Sequence, residues 1–259
     1  MTDGVRPLAL VTGASSGIGA DLARELAKDG HDLVLSARTV PPMQALAAEL
    51  EAYGANCIVI PADLARPGAA AELVGALESR GLQIDVLVNN AGLGGVGRFE
   101  QMDTQRIGDM LMVNAVALTE LTRLLLPGMV ARRRGRALLV ASTASFQPGP
   151  RMAVYFATKA YVLSLGEALA YELRGTGVTV TTLCPGATAT NFFRAAGANE
   201  IALQPSMSAS EVARIGYRAL MAGRRVVITG ILNRILAFGG RLAPRSLTLP
   251  VTAALMSRR

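Results

Sequence analysis

The feature that most constrains this chain is a regular alternation of short apolar runs with longer segments of helical periodicity. Seven apolar runs of strand length follow one another at residues 8–12, 32–36, 56–60, 85–89, 136–141, 178–183 and 225–229. Helix-type patterns fill the spaces between them at residues 17–29, 41–53, 68–80, about 103–131, about 152–174 and 209–222. Strands that are apolar throughout and separated by helices are typical of a parallel sheet that is covered on both faces.

We therefore predict an α/β fold: a single-domain, Rossmann-like, doubly wound parallel sheet of about seven strands, with helices on both faces and right-handed crossovers. The sequence has no internal repeat, linker or domain boundary, so one domain is expected to span residues 1–259. Within it we expect a cap-like segment at about 189–210 and a basic, apolar tail at about 231–259.

The net charge of +7 is confined to the end of the chain. Residues 1–223 contain 19 basic and 19 acidic residues, whereas residues 224–259 contain seven arginines and no acid. A body without excess charge argues against nucleic-acid binding. No cluster of His, Cys and carboxylates has the spacing of metal ligands, so no metal is expected.

Cysteine usage and the absence of targeting patterns indicate a cytoplasmic protein. Cys57 and Cys184 both lie in apolar runs, as buried free thiols do. The chain has no signal-peptide pattern and no stretch of about 18 apolar residues that would span a membrane.

A glycine-rich turn, Thr12-Gly-Ala-Ser-Ser-Gly-Ile-Gly19, joins the first strand to the first helix. Glycines allow a tight turn and close approach of a ligand, and the helix that follows offers free N–H groups and partial positive charge to a diphosphate. After the opening strand of a parallel sheet, this pattern favours a dinucleotide site over a plain turn. The residues expected to hold the diphosphate are Gly13, Ser15, Ser16, Gly17, Ile18 and Gly19.

The end of the second strand distinguishes between the two nicotinamide cofactors. NAD sites place an acid there, about 20 residues past the glycines, to hold the ribose. Here the strand ends Ser36-Ala37-Arg38 and has no carboxylate. An arginine is able to hold a 2′-phosphate through two hydrogen bonds, so we predict NADP(H); the alternative is a surface arginine.

Tyr155 and Lys159 are four residues apart on a predicted helix, so they lie on one face. A lysine ammonium nearby favours the phenolate and is expected to lower the pKa of Tyr155 from about 10. Ser142 follows the fifth strand and offers a hydroxyl to a substrate carbonyl. Such Tyr–Lys pairs are common on helices, but Lys159 is one of only two lysines here, beside 24 arginines.

Several separated motifs in this order resemble the short-chain dehydrogenase/reductase family, over the chain to about residue 230. The motifs are Thr12–Gly19, Asn89–Gly92, Asn114, Ser142, Tyr155, Lys159 and Pro185-Gly186. Arg38 is similar to the pattern of NADP-preferring members. Ala141 stands where many members have a second serine, and the catalytic serine that follows is kept.

The resemblance implies a role for each matching residue. Tyr155 would be the general acid in reduction and the base in oxidation. Lys159 would bind the nicotinamide ribose and lower the pKa of Tyr155. Ser142 would hold the substrate oxygen, and Asn114 would position a water in the proton relay.

The resemblance also implies a set of cofactor contacts. Adenine would meet Asp63 and Leu64, and the ribose region would be lined by Asn90, Ala91 and Gly92. The nicotinamide end would lie against Pro185, Gly186, Thr188 and Thr190. On sequence alone, Asp63 is equally readable as a helix cap, Asn90 as part of a turn and Pro185-Gly186 as the start of a loop.

In this family the segment after the sixth strand closes over the substrate. Here it contains Phe192, Phe193, Ile201, Leu203 and Met207, and Phe146, Gln147 and Met152 are expected to flank the other side. Arg194 is the one candidate contact for an anion. The mostly apolar set predicts a ketone or aldehyde with an apolar or amphipathic body.

The leading hypothesis is an NADPH-dependent carbonyl reductase that also runs as an alcohol dehydrogenase. One alternative is a 3-oxoacyl reductase acting on a carrier-bound or CoA-linked chain, which needs a basic docking patch such as Arg132–Arg136 or Arg194. An alternative of another class is a non-catalytic NADP-binding regulator, which predicts erosion of the Ser–Tyr–Lys set.

Two expectations concern association. The resemblance implies a homodimer or homotetramer formed through the two long helices. The basic, apolar tail either packs on the body or on a partner subunit, or makes a peripheral contact with an anionic membrane.

Overall fold

The computed structural model describes residues 6–197, 207–242 and 244–257. Its strands are β1 (Leu8–Thr12), β2 (Asp32–Ser36), β3 (Cys57–Val59), β4 (Val86–Asn89), β5 (Gly135–Val140), β6 (Val178–Cys184), β7 (Thr188–Ala189), β8 (Met207–Ser208) and β9 (Val226–Ile228). Its α-helices are α1 (Gly17–Lys28), α2 (Val40–Leu50), α3 (Ala69–Glu78), α4 (Thr104–Leu111), α5 (Leu118–Ala131), α6 (Ala153–Glu172), α7 (Phe192–Ala195), α8 (Ala209–Met221), α9 (Ile231–Leu242) and α10 (Arg245–Ser257).

Seven strands form one parallel sheet in the order β3-β2-β1-β4-β5-β6-β9. The strand order reverses between β1 and β4, which pair side by side. At such a point the loops after the two strands diverge to opposite faces and leave a crevice at the carboxyl ends. The predicted fold class is confirmed, and it places the loops after β1 and β4 at one site.

Both faces of the sheet are buried because alternate residues of each strand enter different cores. Leu10 and Leu87 pack in the layer that contains α3, α5 and α6. Val11 and Val88 pack in the layer that contains α1, α2 and α8. This two-sided burial explains why the strands read as continuous apolar runs rather than as alternating ones.

The long helix predicted at about 103–131 forms with one departure. Between α4 and α5 the segment Met112–Ala117 is π-helical. A π-helical turn inserts an extra residue and commonly occurs at functional sites. Here it carries Asn114, whose side chain is fully buried.

The same helix corrects the expectation that no stretch is long and apolar enough to span a membrane. Thr104–Ala131 meets that test by length and composition. Val113, Leu118 and Leu121 belong to the core beneath the sheet. Packing in the protein thus accounts for part of the apolar character of this helix, whereas Leu111, Val116 and Leu124 are exposed.

The segment predicted to cover the substrate leaves the sheet after β6. A two-stranded parallel ladder ties its ends together, pairing Thr188 with Met207 and Ala189 with Ser208. Ile201 and Leu203, which we expected to face the substrate, lie outside the described residues.

Candidate active site

The carboxyl ends of the central strands surround a cavity of about 440 Å³. It brings together the glycine-rich loop after β1, the end of β2, the loop after β4, the serine after β5 and the tyrosine of α6. The predicted site residues on its wall are Gly13, Ser15, Ser16, Gly17, Ile18, Arg38, Asp63, Leu64, Asn90, Ala91, Gly92, Ser142, Gln147, Met152, Tyr155, Lys159, Pro185, Gly186, Thr188, Thr190 and Phe192.

Some predicted residues are not on that wall, Met207 among them. Gly19 lies behind the loop, where an added Cβ would collide with the carbonyl of Gly13 and the amide of Asn90. Phe146 ends a 3₁₀ turn after β5 and packs partly against the core, and its contact with a substrate stays a prediction. Asn114 is buried beneath the wall. The side chain of Phe193 lies outside what the structure describes.

The glycine-rich loop is braced to β4 by side-chain hydrogen bonds. The hydroxyl of Thr12 accepts the N–H groups of Asn90 and Ala91, each at 3.1 Å. The amide nitrogen of Asn90 donates to the carbonyls of Thr12 at 3.0 Å and Gly13 at 3.2 Å. Asn90 therefore borders the cavity as predicted, but its amide serves to hold the loop.

Close packing at Gly13 requires glycine. Its φ is +66°, and an added Cβ would lie 2.8 Å from the amide nitrogen of Asn90. The loop leads into α1, whose N-cap Ser16 makes no side-chain capping bond. The first N–H groups of α1 are thus available at the cavity, which suits a diphosphate.

The end of the cavity near β2 is equipped for a ribose and its phosphate. The hydroxyl of Ser36 is buried on the wall and has no hydrogen-bond partner among the described residues. Arg38 is exposed and forms no ion pair within the described chain. Asp63 accepts the N–H of Ala65 at 3.2 Å, which is a turn bond and not a helix cap. An unpaired hydroxyl and an unpaired guanidinium fit the 2′-phosphate predicted here.

Ser142 and Tyr155 lie close together at the other end of the cavity. Ser142 lies at the start of a 3₁₀ turn, where its Oγ accepts the N–H of Ala144 at 3.1 Å and donates to the carbonyl of Pro185 at 3.4 Å. Burial raises the pKa of Tyr155 to about 12, and the neighbouring hydroxyl of Ser142 opposes that rise. The tyrosine is therefore a proton donor at neutral pH.

Lys159 lies on the cavity wall one helical turn from Tyr155, as its spacing predicted, but it is not what shifts the pKa of that tyrosine. Its Nζ donates to the carbonyl of Val140 at 2.8 Å and lies 5.8 Å from the centroid of the Tyr155 ring. Ser142, rather than this ammonium, is what lowers the pKa of Tyr155. Burial lowers the pKa of Lys159 itself to about 8, against a smaller opposing effect of Cys184.

Asn114 fastens the loop after β4 to α6. Its amide nitrogen donates to the carbonyl of Leu93 at 2.8 Å and to the hydroxyl of Thr158 at 3.1 Å, and its Oδ1 accepts the N–H of Leu93 at 2.8 Å. Because Thr158 precedes Lys159, this clamp fixes the lysine's turn of helix. The water contact predicted for Asn114 stays a prediction.

The short helix α7 covers Tyr155 and is held by contacts that the sequence did not reveal. Phe192 packs on Tyr155 with ring centroids 5.3 Å apart. Arg106, on α4, donates through Nε to the carbonyl of Gly94 at 3.0 Å and through Nη2 to that of Ala195 at 2.9 Å. An added Cβ on Gly94 would lie 2.7 Å from Phe192. Arg106 and Gly94 therefore position the phenyl ring.

Part of the cavity wall is formed by residues that no sequence motif indicates. The additional wall residues around Tyr155 are Leu93, Thr143, Ala144, Phe156, Asn191 and Ala195. Thr143 and Ala144 follow Ser142 directly, so their proximity was foreseeable. Phe156 follows Tyr155 on α6. Leu93, Asn191 and Ala195 are brought in by the loop after β4 and by the segment at α7, whose positions no local pattern indicates.

Comparison with known proteins identifies relatives that share this arrangement. The chain is 37% identical over 180 residues to the NADP-dependent 3-hydroxy acid dehydrogenase YdfG of Salmonella typhi, a match that covers 69% of this chain and 71% of that protein. A short-chain dehydrogenase from Sphingobium yanoikuyae, solved in complex with NADPH, is 34% identical with a TM-score of 0.83, covering 94% of this chain and 95% of its own.

A third similar protein is the bulky-bulky ketone specific alcohol dehydrogenase from Comamonas testosteroni. It is 32% identical, with a TM-score of 0.78, and 94% of each chain is covered. The family model described as short chain dehydrogenase matches residues 7–201. The resemblance predicted from the motifs is thereby confirmed, and the chain belongs to the short-chain dehydrogenase family of oxidoreductases.

Proposed function

We propose that this protein reduces a ketone or aldehyde with an apolar or amphipathic body to the alcohol, using NADPH, with Tyr155 as the proton donor. The observation that carries the proposal is the meeting of Ser142, Tyr155 and Lys159 at the end of one cavity whose nearby wall is apolar. Met152, Phe156 and Phe192 form much of that wall.

The cofactor is NADP(H). The relative YdfG is NADP-dependent, and the Sphingobium relative binds NADPH. In this chain the turn from Gly13 to Gly17 and the start of α1 would hold the diphosphate, and Arg38 with Ser36 would hold the phosphorylated ribose. Lys159 and Thr188 border the nicotinamide end of the cavity. When bound, the cofactor supplies the hydride.

The protein's own contribution is to orient the carbonyl and move one proton. The Oγ of Ser142 would exchange its long bond to Pro185 for a bond to the substrate oxygen, which polarises the carbonyl. The phenol of Tyr155 would donate its proton to the same oxygen. A pKa of about 12 keeps this donor protonated at neutral pH, which is the form that reduction requires.

The shape of the wall supports an apolar substrate. Phe192 lies over Tyr155, and Met152 and Phe156 are almost fully buried beside it. The similar alcohol dehydrogenase from Comamonas is specific for bulky-bulky ketones, which favours a ketone over a small aldehyde here. Arg194 is exposed and not among the wall residues, so the predicted anion contact has no support at the reacting end.

The alternative of a 3-oxoacyl thioester substrate is supported by other similar proteins, among them the ketoacyl reductase HetN of Nostoc and a 3-oxoacyl (acyl-carrier-protein) reductase from Agrobacterium tumefaciens. The docking patch suggested at Arg132–Arg136 does not serve it. Those arginines lie at the start of β5, whereas the cavity lies at the carboxyl ends of the strands. Two of them already have partners, because Arg132 binds the carbonyl of Ile84 and Arg134 pairs with Asp85. Arg194 is the remaining candidate.

The alternative of a non-catalytic regulator predicts that the reacting groups are lost or dispersed. Ser142, Tyr155 and Lys159 are all present and border one cavity. This assembly favours an enzyme over a sensor.

The test measures the rate of NADPH consumption with different substrates. Purified protein is given a panel of free apolar ketones and, as the matched competitor, 3-oxoacyl thioesters of equal chain length. We expect saturating turnover with at least one free ketone. Turnover confined to the thioesters would contradict the proposal in favour of the acyl reductase, and binding of NADPH with no turnover of either would favour the regulator.

We also propose a cytoplasmic homodimer or homotetramer in which each subunit is one domain. Exposed apolar side chains on α4 to α6, namely Leu111, Val116, Leu124 and Tyr161, support an interface between copies. Light scattering that reports a monomer at micromolar concentration would contradict the oligomer.

A further inference from the structure

Helix α9 presents a broad apolar face to solvent. Ile231, Leu232, Ile235, Leu236 and Phe238 are between 58% and 77% exposed. We call these five side chains the α9 face. They occupy just over two turns of one helix, whereas most other exposed large apolar residues, such as Phe99 and Tyr171, stand in other elements. A contiguous apolar patch of this kind marks a binding surface.

The opposite side of the helix is fixed to the protein. Asn233 donates to the carbonyl of Thr229 at 2.7 Å, and Ala237 is buried. Asn233 also lies against Gly186, where an added Cβ would collide with its amide. The α9 face is therefore held outward by an anchored helix.

The charged residues of the segment that contains the α9 face are all basic. Residues 224–259 contain seven arginines and no aspartate or glutamate. Arg234 is exposed on α9 and its Nε donates to the carbonyl of Ile228 at 3.2 Å; Arg241 lies two turns further along the same helix. An apolar helix face bordered by cations matches a surface that offers acyl chains beneath anionic headgroups.

A second copy of the chain is a poorer match for the same face. In a two-fold dimer each partner brings the same patch, so arginine would meet arginine without any acid from this part of the chain. Like charges that face each other across an interface oppose association. The charge pattern thus favours an anionic partner over a second copy.

We propose that the α9 face docks the enzyme on an anionic lipid surface, without crossing it. The position of α9 determines where the lipid surface would lie relative to the active site. The helix packs on the turn Thr143–Phe146, which follows Ser142, so docking would bring the lipid surface close to the active site. The docking surface stands independently of the proposed reaction.

The test is co-sedimentation of the full-length protein with vesicles of phosphatidylcholine alone or mixed with phosphatidylglycerol. We expect binding to the mixed vesicles that weakens as salt rises, and little binding to phosphatidylcholine. The double variant Ile235→Asp with Phe238→Asp should bind the mixed vesicles at least about tenfold more weakly, since two large side chains no longer enter the lipid. Phe99→Asp, which replaces an exposed phenyl ring elsewhere, is the matched control and should bind like the natural chain.

NADPH binding and thermal unfolding show whether the double variant is folded, and Ile231→Asp at the start of α9 replaces it if it is not. Equal binding of the variant and the natural chain would overturn the proposal. So would failure of the natural chain to bind anionic vesicles. Light scattering that shows a dimer disrupted by the double variant, without vesicle binding, would assign the face to a second copy instead.

Discussion

The cavity has a floor, formed by the strand ends and α6, and a cover, formed by α7. These two sides are built in different ways. On the floor, Thr12 and Asn90 join the ends of β1 and β4 by side-chain hydrogen bonds. Asn114 and Lys159 bind the loop after β4 and the end of β5 to the helices beside them. On the cover, α7 is attached to the loop after β4 by Arg106 and by one backbone bond, from Val96 to Ala196 at 3.0 Å. The floor fixes the reacting groups on rigid elements, whereas the cover leaves substrate choice to a few adjustable contacts.

The largest effect is expected on the floor, at the proton donor. Tyr155→Phe should lower kcat by at least about a hundredfold because the carbonyl oxygen loses its acid, and should leave the dissociation constant of NADPH nearly unchanged. Steady-state kinetics and fluorescence titration with NADPH measure the two quantities. Tyr161→Phe, on the same helix but exposed, is the matched control. Substantial turnover by the Tyr155 variant would refute the assigned role.

The next effect concerns the cofactor end of the floor. Arg38→Ala should lower kcat/KM for NADPH by about 10- to 100-fold, because a charge-assisted contact to the 2′-phosphate is lost, and should leave NADH almost unaffected. Arg66→Ala serves as the control, since Arg66 borders the adjacent cavity but is already paired with Glu72. Equal losses with both cofactors would show that Arg38 acts on the fold and not on the phosphate.

The pH profile tests Lys159. Its pKa is lowered to about 8, so the ammonium is present below pH 8 and is lost above it. Reduction that depends on this charge should fall as pH rises through about 8, by up to about tenfold per unit. Lys159→Arg should remove this limb because a guanidinium keeps its proton. Lys28→Arg, which changes the other lysine, should leave the alkaline limb in place. If the limb were unchanged in the Lys159 variant, the fall in rate would belong to another titrating group.

The smallest effect is expected on the cover. Arg106→Gln should raise KM for a ketone by about fivefold, the equivalent of one lost hydrogen bond, and Gly94→Ala should act in the same direction by displacing Phe192. NADPH affinity should not change. Arg98→Gln, in the same loop, is the control. If kcat fell while KM stayed constant, the contacts of Arg106 would serve the catalytic floor instead of the cover.

The floor was largely predictable from sequence because its signals are local. The turn Thr12–Gly19 and the pair of Tyr155 and Lys159 each sit within one loop or one helix turn, and strand ends meet once the sheet is parallel. The direction of Lys159 was not predictable, because its bond to Val140 joins a helix to a strand and depends on how the two pack.

The cover could not be predicted because its contacts join distant parts of the chain. The bond from Arg106 to Ala195 spans 89 positions and uses a backbone carbonyl, which no residue pattern encodes. The π-helical turn at Asn114 is a one-residue insertion into an otherwise regular helical period. Phe146 ends a 3₁₀ turn that packs it partly against the core, and no local pattern in the sequence indicates this turn.

The most direct test of the central claim follows the hydrogen that is transferred. The protein is incubated with an apolar ketone and with NADPH that carries deuterium at the transferable position of its nicotinamide ring, and the alcohol is analysed by mass spectrometry. The geometry of the floor predicts one deuterium on the carbinol carbon of the product with the natural chain, and none above background with Tyr155→Phe. Cofactor binding without deuterated alcohol from any ketone of the panel would contradict it.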